Sequence, residues 1–137
     1  MNQTTTRRQR SSAGAETINV LVVEGFEPVA KIVCRTLEGV GCDVWLAESG
    51  EVALELLPEH NWHVLVIDLS LPGISGLELL RRRDWALPAI LMSAEGMDSC
   101  GPELSALNAV WLRKPFTHAR LVELVPAADR HQARRSI

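Results

Sequence analysis

Five short apolar runs punctuate this chain, and between them apolar positions recur at helical rather than alternating spacing. Ile18–Val23 is the first run and predicts a strand. Pro28 suits the first turn of a helix, in which Val29, Ile32, Val33, Leu37 and Val40 fall on one face and Gly39 and Gly41 close the end. Asp43–Ala47 predicts a second strand. Ser49 then caps a helix that turns Val52, Ala53, Leu56 and Leu57 inward and stops at Pro58. Trp62–Ile67 is the third strand and delivers Asp68. A helix from about Ser75 carries Leu77, Leu79 and Leu80 before an exposed run of Arg81, Arg82 and Arg83. Pro88–Met92 is the fourth strand, a short helix runs through Leu107, and Ala109–Leu112 is the fifth strand. Thr117 caps a last helix that ends before Pro126.

Strands and helices that alternate five times predict an α/β fold, a doubly wound five-stranded parallel sheet with helices on both faces. The run Val64-Leu-Val-Ile-Asp68 supports this, because an unbroken Val/Ile/Leu strand is buried on both sides. The predicted organisation is a disordered tail over residues 1–17, one domain over 18–126, and a second tail over 127–137. The first tail is rich in Thr, Gln, Arg and Ser without periodicity.

Composition narrows the function classes. A net charge of −3 argues against nucleic acid as the main partner, although arginines cluster in both tails. No apolar stretch approaches the roughly 20 residues of a membrane helix. The Thr/Arg start has no apolar segment behind it and so does not read as a secretory signal, which predicts a cytoplasmic protein. Three cysteines, Cys34, Cys42 and Cys100, form no CxxC pair and read as reduced thiols. His60 and His63 have no third ligand nearby in sequence, so a metal site on them is not expected. Trp45, Trp62, Trp85 and Trp111 read as packing residues, with Trp111 the one to watch.

Chain order has a geometric consequence. Glu24, Asp68, Ser93 and Lys114 each stand at, or just past, the C-terminal end of a different strand, and parallel strands put those ends on one edge. In the flavodoxin-like order 2-1-3-4-5, strands one and four flank strand three, about 4.8 Å away. Lys114 lies two strands off, roughly 10 Å, a gap a lysine can narrow. Two acids, a hydroxyl and an ammonium therefore meet in one crevice. A carboxylate there can attack phosphorus to give an aspartyl phosphate, with the ammonium and hydroxyl binding the phosphoryl oxygens.

The pieces Val20-Leu-Val-Val-Glu24, Asp68-x-x-x-Pro72-x-x-Ser75-Gly76, Leu91-Met-Ser93-Ala-Glu95 and Trp111-x-x-Lys114-Pro115-Phe116 together resemble the receiver domain of two-component response regulators. The resemblance covers about residues 18–126. It implies Asp68 as phosphoacceptor, Ser93 as switch hydroxyl, Lys114 as the phosphate-pairing lysine and Trp111 in the place of the switch aromatic. It also implies a cis Lys114–Pro115 bond, and magnesium held by Glu24, Asp68 and the Ser70 carbonyl. Ser70 and Glu95 match positions that tune loss of the phosphoryl group. The partners implied are a histidine kinase or phosphotransfer protein and a downstream protein that reads the face of helix four, strand five and helix five. Such a domain is a signalling element rather than an enzyme.

One departure stands out. The family normally places two adjacent acids after strand one; here the pair is Glu24-Gly25. Magnesium wants near-ideal octahedral oxygen ligands, so one fewer carboxylate predicts weak binding and slow or absent phosphorylation. The segment between Asp68 and Ser93 is also short, which predicts a clipped third helix. The alternative is a degenerate receiver that works as a phosphorylation-independent interaction module. An aspartate-nucleophile hydrolase is disfavoured, since no second acid lies two residues after Asp68. No output domain is recognisable after residue 126, which reads as a stand-alone receiver or a fragment.

Overall fold

The structure, a computed structural model, describes residues 17–83 and 87–125. The expected tails and Trp85 lie outside the described residues. Five parallel strands, β1 (Asn19–Val23), β2 (Asp43–Ala47), β3 (Val64–Asp68), β4 (Ala89–Ser93) and β5 (Ala109–Arg113), form one sheet in the order β2-β1-β3-β4-β5. The flavodoxin-like order expected from the sequence is the one observed. β3, the central strand, is buried along its whole length, which is why it tolerates no polar residue before Asp68.

Helices cover both faces. α1 (Glu27–Gly39) and α5 (residues 118–125) lie on one; α2 (Gly50–Leu56), α3 (Gly76–Arg82) and α4 (Gly101–Ala106) lie on the other. On the first face Val20, Val22, Val33, Leu37, Val66, Ile90, Leu121 and Val125 form the core. On the second, alternate residues of the same strands meet Ala53, Leu57, Leu79, Leu80 and Leu104. Each strand thus serves both cores with a period of two.

Ser49 and Thr117 cap their helices as the sequence predicts, and Ser75 does the same for α3. Ser49 Oγ accepts from Val52 N at 3.2 Å, Ser75 Oγ from Glu78 N at 3.1 Å, and Thr117 Oγ1 from Arg120 N at 3.0 Å. α1 ends at Gly39, and Gly41 takes a φ of 94° that suits glycine. α3 has seven residues, in line with the clipped helix expected.

Three expectations need correction. Ile32 and Val40, which share the helical apolar spacing of Val33 and Leu37, are 48% and 54% exposed. α1 meets the sheet along a stripe narrower than its apolar pattern, and only Ala30, Val33 and Leu37 are buried. Trp62 precedes β3 rather than beginning it. Its indole N–H donates to the Leu57 carbonyl at 3.1 Å and its ring meets Trp45 edge-on, which anchors the turn into the strand. Arg83 is not part of a solvated run: it folds inward and donates to the carbonyls of Leu87 and Leu107. Burial there lowers its pKa to about 10.

Candidate phosphoacceptor pocket

The pocket grows out of the strand ends. Asp68 is the last residue of β3 and pairs in register with Met92; Ser93 is the last residue of β4 and faces Arg113 at the end of β5. Glu24 and Lys114 each follow their strand by one residue, and their amides continue the ladders, Glu24 N to the Ala47 carbonyl at 3.0 Å and Lys114 N to the Ser93 carbonyl at 2.9 Å. Backbone pairing therefore fixes where all four side chains start.

Lys114 closes the gap foreseen from the strand order. Its Nζ lies 3.1 Å from Asp68 Oδ1 and 3.6 Å from Glu24 Oε1. Both acids are almost sequestered, Asp68 at 6% and Glu24 at 2% exposure. Two carboxylates against one ammonium in so little water favour taking up a cation or a proton. Glu24 shows this directly: burial pushes its carboxyl above the usual glutamate value of 4.5, and the nearby Asp68 carboxylate adds to the rise. The Phe26 N–H, donated to Glu24 Oε2 at 3.1 Å, and the Lys114 ammonium pull the other way.

Loops hold the pocket rim. Ser70 N lies 3.4 Å from Asp68 Oδ1, a long contact that begins the turn after β3. Gly76 is required further along, because an added Cβ would overlap the Asp68 carbonyl and force the start of α3 away. Glu51, on α2, was missed in the sequence. Its Oε2 accepts from Ile74 N at 3.1 Å and so tethers the β3–α3 loop. No local signal pairs residues 23 positions apart, and only the fold reveals the contact.

Ser93 is 3% exposed, and its hydroxyl is engaged within its own turn. Oγ accepts from Glu95 N at 2.9 Å and donates to the Glu95 carbonyl at 3.2 Å. Trp111, half-buried on β5, donates its indole N–H to the Ser93 carbonyl at 3.2 Å. Ser70 and Glu95 are exposed at the rim. The Lys114–Pro115 peptide is cis. The structure thus gathers Glu24, Asp68 and Lys114 into one cluster and sets Ser93 and Trp111 beside it.

The departure after β1 has a structural counterpart. A Cβ on Gly25 would stand 3.1 Å from the Glu48 carbonyl and 3.3 Å from Pro72 Cδ, so an acid there needs its neighbours to yield by a few tenths of an ångström. Glu27 does not replace it: it is the first residue of α1 and faces Lys31, with Oε2 4.0 Å from Nζ. Among the described residues no group of three His, Cys, Asp or Glu side chains could hold a metal ion. Glu24 Oε1 is buried and makes no hydrogen bond. An acceptor met only by the Lys114 ammonium at 3.6 Å, beside a second carboxylate, fits a divalent ion, though with a sparse donor set. The histidines have structural partners: His63 Nδ1 accepts from Asn19 N at 2.9 Å, and His60 lies against the rings of Trp45 and Trp62.

Residues 20–126 match the family of response regulator receiver domains. The chain belongs to that family. This receiver domain is 28% identical to the receiver domain of the Francisella response regulator 1452, with a TM-score of 0.77 over 85% of this chain and 99% of that one. A putative response regulator from Chloroflexus aurantiacus is 30% identical, with a TM-score of 0.73 over 82% and 98%. YkoG, an uncharacterised transcriptional regulatory protein of Bacillus subtilis (strain 168), is 32% identical over 118 residues, 82% of this chain and 51% of that protein. The receiver domain therefore spans about half the length of this curated relative. Among the described residues no helix is long and apolar enough to cross a membrane.

Proposed function

We propose that Asp68 accepts a phosphoryl group from a phosphohistidine on a histidine kinase or phosphotransfer protein. The observation that carries this is the Lys114 ammonium held 3.1 Å from a nearly buried Asp68 carboxylate at the ligand-binding edge of the sheet. In the transfer an Asp68 carboxylate oxygen forms a bond to phosphorus as the phosphorus–nitrogen bond breaks. The electron pair of that bond stays on the donor imidazole, which then takes a proton. Lys114 exchanges part of its contact with Asp68 for the phosphoryl oxygens, and Ser93 supplies a hydrogen-bond donor once its hydroxyl leaves Glu95.

Glu24, Asp68 and the Ser70 carbonyl would hold a magnesium ion, which when bound neutralises charge on the phosphoryl oxygens. With Gly25 in place of a second acid the ion is held weakly, and phosphorylation is slow. The added charge then biases a two-state rearrangement of α4, β5 and α5, the face a downstream protein reads. The receiver acts in the cytoplasm as a signalling domain and not as an enzyme.

Gly25 favours a second reading, a phosphorylation-independent interaction module with one fixed conformation. Intact-mass measurement after incubation with magnesium and acetyl phosphate separates the two. An added phosphoryl mass that disappears in Asp68→Ala supports transfer. A wild type that never gains it supports the module, and gain by Gly25→Asp would locate the defect in the acid pair.

A further inference from the structure

We propose that Trp111 is a positioning residue that latches the pocket end of β4 to β5 and keeps a single orientation whether or not Asp68 is phosphorylated. The inference deepens the phosphorylation reading above. It begins from one carbonyl. Ser93 O accepts from Lys114 N at 2.9 Å, as the ladder requires, and from the Trp111 indole Nε1 at 3.2 Å. Both lone pairs of that oxygen are therefore engaged, and both donors come from the segment leading to Lys114.

The register explains how the indole gets there. Trp111 pairs with Leu91, two residues before Ser93 on β4, so the bond runs diagonally along the strands toward the pocket. A phenylalanine ring has no donor to make this bond; an indole does. The half-buried ring packs against the core that α4 covers, and the Arg113 guanidinium stands over it with its carbon 5.6 Å from the ring centroid. Packing on one side, a cation over the ring and a hydrogen bond at the nitrogen hold the half-buried indole in one orientation.

The consequence concerns what moves. The Ser93 hydroxyl can leave Glu95 by rotation about its own Cα–Cβ bond, while the doubly bonded carbonyl holds the backbone of β4 in place. Ser93 thus turns toward a phosphoryl group without carrying the aromatic ring with it. A neutral hydrogen bond of ordinary net strength shifts a local opening equilibrium roughly fivefold.

Proton–nitrogen correlation spectra of the full chain test this, with the Trp111 indole resonance assigned through Trp111→Phe. Without any ligand, the indole proton should exchange with water at least about fivefold more slowly than that of free tryptophan. Beryllofluoride with magnesium should shift the Asp68, Ser93 and Lys114 amides and leave the Trp111 indole resonance and its protection unchanged. In Trp111→Phe the Lys114 amide should exchange about fivefold faster, while the β2 amides keep their rates. Exchange as fast as free tryptophan, or an indole resonance that moves with the amides on beryllofluoride, overturns the latch. If beryllofluoride shifts no amide at all, the phosphorylation reading fails, and exchange in the free protein still decides for or against the latch.

Discussion

The two faces of the sheet are built on different principles. One carries α1, thirteen residues long, whose Ala30, Val33 and Leu37 are buried against the strands, beside α5 with its Thr117 cap. The other carries helices of seven, seven and six residues. Helices this short are marginal by themselves, since isolated helices need about 12–15 residues in water. α1 has Phe26 at its N-cap position, makes no side-chain cap there, and relies on burial. The short helices add polar fastenings: serine caps on α2 and α3, and arginine contacts between α3 and the ends of its neighbours. The face that carries α2, α3 and α4 is thus the one held by replaceable, local contacts.

Arg83 should break that contrast most severely. It reaches the carbonyls of Leu87, before β4, and Leu107, after α4. Arg83→Ala strands both carbonyls and empties the space its side chain filled, so we expect a loss of about 2 kcal/mol. Urea denaturation measures it. Ile32→Ala on the exposed side of α1 is the control and should change stability by less than about 0.5 kcal/mol. Equal losses would mean that the two faces are held alike.

Ser75→Ala acts on the same face more gently. Its hydroxyl caps α3 by accepting from Glu78 N, and removing a serine cap costs about 1 kcal/mol. Amide exchange across α3 should quicken, while α1, which has no such cap to lose, keeps its rates.

These two residues also show what could be read from the chain. Ser49 and Thr117 were legible as caps because capping is settled within four residues, and the start of α3 was legible near Ser75. The strand-end cluster was legible because parallel topology turns chain order into proximity, so Glu24, Asp68 and Lys114 could be placed together from their positions alone. Arg83 was not, since three consecutive arginines read as a solvated run and only the fold puts two carbonyls within reach of the third. Glu51 and the Trp111 indole were hidden for the same reason: each bonds a backbone group that sequence spacing does not bring near. Ile32 and Val40 misled in the other direction, because apolar spacing says which side of a helix faces the sheet but not how wide the contact is.

Glu24 lies where both faces end, and its effect should be smaller and depend on pH. Its carboxyl pKa is raised above 4.5 in the folded protein. The folded state therefore binds this proton more readily than the unfolded chain does. The stability linked to it is complete below pH 4.5 and is lost as pH rises through the folded value. Glu24→Gln cannot ionise, so the wild type should lose stability relative to the variant between pH 4.5 and 7. Thermal unfolding of the two proteins at several pH values checks the sign. A constant difference would mean that Lys114 offsets the buried charge.

Arg81 should give the smallest effect and the sharpest comparison within the short-helix face. Its guanidinium meets Glu103 of α4 twice, Nε to Oε2 at 2.6 Å and the second terminal nitrogen to Oε1 at 3.0 Å, and both residues sit at the surface. The paired geometry raises the Arg81 pKa and lowers that of Glu103, chiefly through the hydrogen bond between them. Water and salt screen such a pair, so its influence on global stability should be slight. Locally the case differs, because α4 has six residues, no side-chain cap at its start, and Leu104 as its one buried residue. Arg81→Ala should leave the urea midpoint nearly unchanged while α4 amides exchange faster at low ionic strength. At high salt the wild type should approach the variant. A salt-independent difference would instead assign the hold on α4 to packing of the arginine stem, and the polar fastening of this face would then rest on Arg83 and the serine caps.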